Sequence, residues 1–281
     1  MEHITNPLDA AIWSAGQRRV NRRIGFVPTM GALHEGHVAL VHGARSHCDC
    51  VAVSIFVNPL QFNDKKDLLH YPRHPEEDRR ILEDAGCDML LMPEAEELFR
   101  GFKPVHYDLN GLDHLLEGAS RPGHFQGVVN VVERLCHYVR PDVALFGEKD
   151  RQQLAVLKQV STELLWPVQL IAHPIIRAAD GLALSSRNQR LSAEEREVAP
   201  LLHQALQAIA DIAFRHSIGK ALQAGMAVLA NAEVIRLDYL TIADPVTLRP
   251  LDSWEGAVEA VALIAAQVGP VRLIDNIILH Q

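Results

Sequence analysis

The chain has 281 residues, 48% of them hydrophobic and 22% charged, enough to bury a sizeable core and too evenly mixed for a disordered or fibrous protein. Its formal charge of −8 excludes a general nucleic-acid binder, which needs an excess of clustered Lys and Arg, so an anionic ligand must be met by a local basic site. The length favours two domains, and Cys48, Cys50, Cys87 and Cys136 match neither a C-x-x-C spacing nor a disulfide framework, which points to a reduced, cytoplasmic protein.

The first residues carry early acids and no basic run before an apolar stretch, unlike a secretory signal. Asn6, Pro7 and Asp9 predict a helix opening the chain: an N-cap, a first-turn proline and an acid near the positive helix end. R-I-G-F-V at residues 23–27 is a short apolar run stopped by Pro28; a turn-rich stretch follows, then a helical pattern from Gly36 to about His47. V-A-V-S-I-F-V at 51–57 is too continuously apolar for a strand with one wet face, as expected of a parallel sheet covered on both sides. Val128, Val131, Val132, Leu135, Cys136 and Val139 keep helical spacing, and V-A-L-F-G at 143–147 supplies another strand. This alternation predicts an α/β fold, a Rossmann-like doubly wound parallel sheet.

After Pro174 the texture changes. Ser192 with Glu195 predicts a capping box for a long helix that Pro200 should kink or restart. A further helix over about 218–232 leads to V-I-R-L-D-Y-L at 234–240, the first of several strand-like segments ending in V-R-L-I at 271–274. The apolar stretch 257–268 contains Glu259 and falls short of the roughly 20 residues a membrane span needs. The expected organisation is a nucleotide- and substrate-binding domain over 1–178 and a smaller α+β domain over 179–281.

P-T-M-G-A-L-H-E-G-H at residues 28–37 follows the first predicted sheet strand, at the end where open α/β sheets bind ligands. Gly31 and Gly36 allow close backbone approach, and a helix beginning near Gly36 presents N–H groups and a positive dipole end to anions. His34 and His37 fall on one side of its first turn and can both donate to phosphate. By itself an H-x-x-H pair fits ordinary surface or core histidines as well. Metal binding is disfavoured, because H-E-G-H is one residue short of the H-E-x-x-H zinc spacing and no third ligand is obvious nearby.

With its flanks the segment resembles the H-x-G-H phosphate-binding motif of the nucleotidyltransferase superfamily, in the version used by the pantothenate synthetase family. The other signatures of that family stand in its order: F-V-N-P-L-Q-F at 56–62, Y-P-R at 71–73, R-P-G-H-F-Q-G-V at 121–128, F-G-E-K-D-R-Q-Q-L at 146–154, D-G-L-A-L-S-S-R-N at 180–188 and R-L-I-D-N at 272–276. Together they run from about residue 20 to the end of the chain, and chance agreement of seven ordered motifs is negligible.

The resemblance implies an ATP-dependent ligase that joins pantoate to β-alanine through a pantoyl-adenylate, releasing pyrophosphate and AMP, in pantothenate and coenzyme A biosynthesis. ATP is the co-substrate and Mg²⁺ accompanies it, with protein ligands unknown. A homodimer with small-molecule substrates only is implied, without nucleic acid or membrane, and with the C-terminal domain acting as a lid. The family's ATP contacts fall on Met30, Gly31, Ala32, Leu33, His34, Glu35, Gly36 and His37, on Gly147, Glu148, Lys149 and Asp150, and on Ile176, Leu184, Ser185, Ser186 and Arg187. His37 takes the leading catalytic role, beside His34, Lys149 and Arg187. Gln61 and Gln153 bind pantoate, and Gln61 also lies near β-alanine.

The residue types suit these roles. An amide donates to a carboxylate and accepts from a hydroxyl, as a small hydroxy acid requires. Gly147 permits backbone contact with the nucleotide, Lys149 can reach a phosphate, and Asp150 suits the ribose. Leu184 to Arg187 offers two hydroxyls and a guanidinium and resembles the K-M-S-K-S-type loop that holds triphosphate. Ile176 would meet adenine through its backbone. Taken singly, each has an ordinary alternative: solvated loop amides, a solvated turn, a Ser-rich N-cap, a packing isoleucine. Three residues depart from the family pattern: Arg151 for an aromatic, Asn63 for a glycine, and Asn130 for a threonine, the last able to reshape the pantoate pocket slightly. The rival activities are a plain nucleotidyltransferase or tRNA-charging relative, weakened by the acidic balance, and a non-catalytic nucleotide sensor, which has no need of paired glutamines.

Overall fold

Short apolar runs alternate with helices along the first part of the chain because each strand is buried on both faces and needs a helical crossover to reach its parallel neighbour. In the computed structural model, which describes residues 1–63 and 65–281, they form a six-stranded sheet. Its strands are β1 (Glu2–Ile4), β2 (Ile24–Thr29), β3 (Cys50–Ile55), β4 (Met89–Leu91), β5 (Val143–Gly147) and β6 (Gln169–His173). Every pairing is parallel and the order is β1-β4-β3-β2-β5-β6. The chain travels outward from β2 through β3 to β4, then returns to lay β5 on the other side of β2. The carboxyl ends of β2 and β5 are therefore the switch point, where such sheets open a ligand crevice.

Asp142 fixes the start of β5 beside β2, accepting the Ile24 N–H at 2.7 Å. The helix Glu35–His47 packs on the sheet at Gly43, where an added Cβ would sit 2.8 Å from Leu145 Cδ2. Asn6 caps the helix Pro7–Arg19 as expected, its Oδ1 accepting the Leu8 N–H at 2.9 Å. The sequence pattern did not reveal β1 ahead of that helix. Three residues with only Ile4 buried carry no periodicity, and the strand exists through its ladder with β4.

The chain divides into two compact units: Met1–Glu148 with Gln153–Pro174, and Lys149–Gln152 with Ile175–Gln281. In the second, β7 (Ile235–Ala243), β8 (Glu259–Val268) and β9 (Val271–His280) form an antiparallel sheet in that order. The apolar stretch noted over 257–268 is its central strand, whose Ala260, Ala262, Ile264, Ala266 and Val268 pack with Leu202, Leu206 and Ile209. Ser192 and Glu195 form the expected reciprocal cap, and Pro200 divides the helix into Ala193–Val198 and Leu201–Ala210. The α/β sheet and the smaller α+β unit are the fold class that the sequence predicts. Among the described residues no helix is long and apolar enough to cross a membrane.

Candidate active site

The loop leaving β2 makes two left-handed residues in succession, Gly31 at φ 81° and Ala32 at φ 50°. A non-glycine residue there costs of order 1–3 kcal/mol and persists only where its surroundings hold it. Asp78 does so. Its Oδ2 accepts the Ala32 N–H at 2.9 Å and its Oδ1 the Leu33 N–H at 2.7 Å. An added Cβ on Gly31 would lie 2.9 Å from Asp78 Oδ2, so glycine is required for space as well as for φ. Burial pushes the Asp78 carboxyl pKa up, while the two N–H bonds act in the opposite direction. The sequence does not single out Asp78. In H-P-E-E-D it reads as one more acid in a first helical turn, and only its burial beside exposed Glu76 and Glu77 sets it apart.

His34 is the N-cap of the helix Glu35–His47. Its Nδ1 accepts the Gly36 N–H at 3.1 Å, and His37 Nδ1 accepts the His34 N–H at 3.3 Å. The two rings lie side by side with centroids 4.1 Å apart. Since both Nδ1 atoms accept, the neutral form of each ring carries its proton on Nε2. The two rings lie together at the first turn, as their spacing in the sequence predicts.

Gln61 closes the 3₁₀ turn Pro59–Gln61 after β3 and is buried. Asn58 caps this turn and also orients the Gln61 amide. Its Nδ2 donates to Gln61 Oε1 at 2.9 Å and to the Gly127 carbonyl at 3.0 Å, leaving Gln61 Nε2 as the donor, 3.2 Å from Met30 Sδ. His124 Nδ1 bonds the Gln61 carbonyl at 2.8 Å. Gly127 of the helix His124–Val139 lies so close that an added Cβ would fall 2.2 Å from the Leu60 carbonyl oxygen. Gln153 is half-buried near the start of the helix Arg151–Glu163. Gln61 and Gln153 thus follow β3 and β5, the two neighbours of β2. Nothing in F-V-N-P-L-Q-F marks Asn58 as the partner that orients Gln61.

In the second unit, Lys149 has a side chain only 18% exposed, with Nζ 3.6 Å from Asp150 Oδ2. Residues 176–184 form a hairpin in which the Leu184 N–H bonds the Ile176 carbonyl at 3.0 Å and the Ala178 N–H bonds Leu182 at 2.9 Å. The Ile176 carbonyl is thereby engaged within the hairpin. Ser185 caps the 3₁₀ helix Ser186–Arg190, accepting the Arg187 N–H at 3.3 Å, so the ordinary Ser-rich cap is realised along with a buried Ser186. Arg177 makes a two-pronged bond to Asp275 at 2.6 and 2.9 Å and reaches the Gly181 carbonyl at 3.0 Å.

The three departures are all engaged structurally. Asn130 accepts the Val105 N–H and donates to the Val105 carbonyl, each at 2.8 Å, so its amide tethers that segment. Asn63 donates to the Pro122 carbonyl, and Arg151 to the Pro245 carbonyl at 3.3 Å. Among the described residues no group of three or more His, Cys, Asp or Glu side chains could hold a metal ion.

A family model described as pantoate-beta-alanine ligase matches residues 3–278. The pantothenate synthetase of Corynebacterium glutamicum (strain R) is 49% identical over 265 residues, covering 92% of this chain and 94% of the relative. The pantoate–beta-alanine ligase of Schizosaccharomyces pombe is 47% identical over 266 residues, with 92% of each chain covered. Among solved structures, the pantothenate synthetase of Thermus thermophilus superposes with a TM-score of 0.93 at 44% identity over 99% of both chains. The pantoate-beta-alanine ligase of Francisella tularensis, complexed with beta-gamma ATP and beta-alanine, gives a TM-score of 0.81 at 32% identity over 99% of this chain and 97% of that one.

Proposed function

The chain belongs to the pantoate–β-alanine ligase family, ATP-using carbon–nitrogen ligases of pantothenate biosynthesis, and on that premise we propose that it works through a pantoyl-adenylate handled by the residues described above. In the first half-reaction a pantoate carboxylate oxygen attacks the α-phosphorus of ATP, and the bond to pyrophosphate breaks. No protein nucleophile is needed, so the protein's part is positioning and charge stabilisation. His34 and His37 donate Nε2–H to phosphate oxygens at the positive end of their helix. Lys149 and Arg187 neutralise phosphate charge, with Ser185 and Ser186 as hydroxyl donors. Gly147 gives the nucleotide close backbone contact, Asp150 meets the ribose and the Ile176 N–H meets adenine. The loop Met30 to Leu33 carries phosphate contacts on a backbone braced by Asp78.

Gln61 and Gln153 bind pantoate. With its oxygen held by Asn58, Gln61 acts as an N–H donor toward a carboxylate, and it serves β-alanine in the same way. In the second half-reaction the free amine of β-alanine attacks the acyl carbonyl, AMP leaves and the amine loses its proton. Mg²⁺ enters with ATP as part of the substrate, coordinated by phosphate oxygens; among the described residues the chain offers no preformed cage for it, and no step here depends on a protein ligand to the ion. A cytoplasmic homodimer completes the proposal; for the compartment, the four free thiols, of which Cys50 and Cys87 are pushed by burial to about 11 and about 12, suit a reducing environment.

The observation that carries this reading is the reciprocal cap of His34 and His37 at the carboxyl end of β2. The experiment that tests it is pyrophosphate exchange with pantoate, then AMP release with pantoate and β-alanine omitted in turn. Exchange that requires pantoate and AMP release that requires both acids support the ligase mechanism. Exchange driven equally by unrelated acids refutes it.

A further inference from the structure

Two consecutive buried polar residues on an edge strand need partners, because an interior amide or carboxylate left unpaired costs free energy. Asp275 and Asn276 of β9 are 4% and 3% exposed, and they belong to R-L-I-D-N, a motif for which the sequence supplied no chemistry. Their partners are the two segments of the second unit that carry its nucleotide residues. The Asp275 carboxylate grips Arg177 at the foot of the 176–184 hairpin. The Asn276 carbonyl accepts from the same guanidinium at 3.2 Å, and its N–H bonds Asp275 Oδ1 at 2.7 Å. Its side-chain Nδ2 donates to the main-chain carbonyl of Lys149 at 3.1 Å. Opposite them on β8 stand Ile264 and Leu263, so the dipeptide is registered against the sheet's central strand.

We propose that Asn276, held in place by Asp275, is a positioning residue of the ATP-binding machinery that sets where Lys149 stands, while Asp275 sets the neighbouring hairpin through Arg177. This role rests on Lys149 being the phosphate ligand described above. Lys149 lies in the three-residue 3₁₀ turn Glu148–Asp150, a short element with poor internal hydrogen-bond geometry. Its four-carbon stem is flexible, so the region that Nζ can sample is set by the backbone from which it hangs. Residues Lys149–Gln152 cluster with the second unit although the chain on either side belongs to the first, and the bond from Asn276 is one tie that accounts for it. A change at Asn276 should therefore act through Lys149 and on adenylation alone.

The test compares wild type, Lys149→Ala, Asn276→Asp and the double variant. Asn276→Asp keeps the shape but loses the donor toward the Lys149 carbonyl. Pantoate-dependent pyrophosphate exchange at subsaturating ATP, conversion of supplied pantoyl-adenylate by β-alanine, and Tm are measured for each. Asn276→Asp should lower kcat/KM for ATP in exchange by roughly 10- to 100-fold, since small displacements of a positioned group carry losses of that order. Conversion of supplied adenylate should stay close to wild type. Added to Lys149→Ala, the change should cost almost nothing more, because residues acting as one unit are not additive. If the two losses multiply, or if both half-reactions fall together with Tm, Asn276 is merely a structural residue and the inference is overturned. Should the aspartate variant fail to fold, Asn276→Ala takes its place in the same cycle with the same expectation. Wild-type exchange in Lys149→Ala would sink the assignment of Lys149 and the inference with it. An impaired Lys149→Ala beside an unimpaired Asn276 variant would sink the positioning role alone.

Discussion

The imidazole of His37 has a separate duty for each nitrogen. Nδ1 closes the cap of its own helix, and Nε2 is the phosphate donor of the proposed adenylation step. His37→Ala should therefore lose both, at roughly 1 kcal/mol of stability for the cap and about 10²–10³-fold in rate for the donor. The loss should appear in pantoate-dependent pyrophosphate exchange and be nearly absent when pantoyl-adenylate and β-alanine are supplied. His37→Gln keeps a donor and should fall between the two in exchange. An alanine variant that adenylates normally but fails with supplied intermediate would place His37 in the amine step. Gln153→Ala should raise the pantoate KM much more than the ATP KM, because a desolvated substrate group left unpaired costs roughly 1–3 kcal/mol; equal rises would count against its assignment. At this scale the residues proposed to face the ligands were legible, since the family motifs that carry them are contiguous in the sequence. Their supports were not. Asp78, Asn58 and Asn276 act through contacts 45, 3 and 127 residues along the chain, and two of those three spans are invisible without a fold.

Helix His124–Val139 positions the turn that carries Gln61. Gly127 lets its backbone meet the Pro59–Gln61 turn, with Asn58 donating to the Gly127 carbonyl across the contact. The atoms that an alanine methyl would strike are backbone, so neither side can move aside as a flexible side chain would. Gly127→Ala should cost about 1–3 kcal/mol of stability from overpacking and should raise the pantoate and β-alanine KM values through a displaced Gln61. Unchanged Tm together with unchanged KM would show that the helix yields more easily than this packing suggests. The periodic apolar face of this helix could be read from Val128 to Val139, whereas the demand for glycine at its first turn could not, because it comes from another element. The same distinction explains the strands. The buried runs of β2, β3 and β5 announce themselves, although β2 continues through Pro28, the residue expected to stop it, to Thr29. By contrast, β1 owes its existence to a partner strand far along the chain, Glu2 pairing with Met89.

At the scale of the whole molecule, the two sheets were foreseeable from the change in texture after Pro174, and the crossing of Lys149–Gln152 into the second unit was not, since only non-local bonds reveal it. The part-buried ion pair of Arg177 and Asp275 in that unit also gives the protein a testable response to acid. His203 packs its ring against Gly181 and stands 3.8 Å from Asp275, whose carboxylate is already committed to Arg177. Burial lowers the His203 pKa from its ordinary value of 6.5, the Arg177 charge lowers it further, and Asp275 opposes them. The unfolded chain therefore binds the His203 proton at a higher pH than the folded one. Its contribution to stability is complete above about 6.5 and is lost as pH falls from there through the depressed folded value. His203→Gln removes that proton-binding difference while keeping a polar side chain. Plotted against pH from about 8 down to about 5, the Tm of His203→Gln should fall less steeply below about pH 6.5 than that of wild type, whatever its absolute value at the alkaline end. Parallel acid limbs in the two proteins would mean that His203 titrates alike in both states, and that the Arg177–Asp275 pair tolerates its charge.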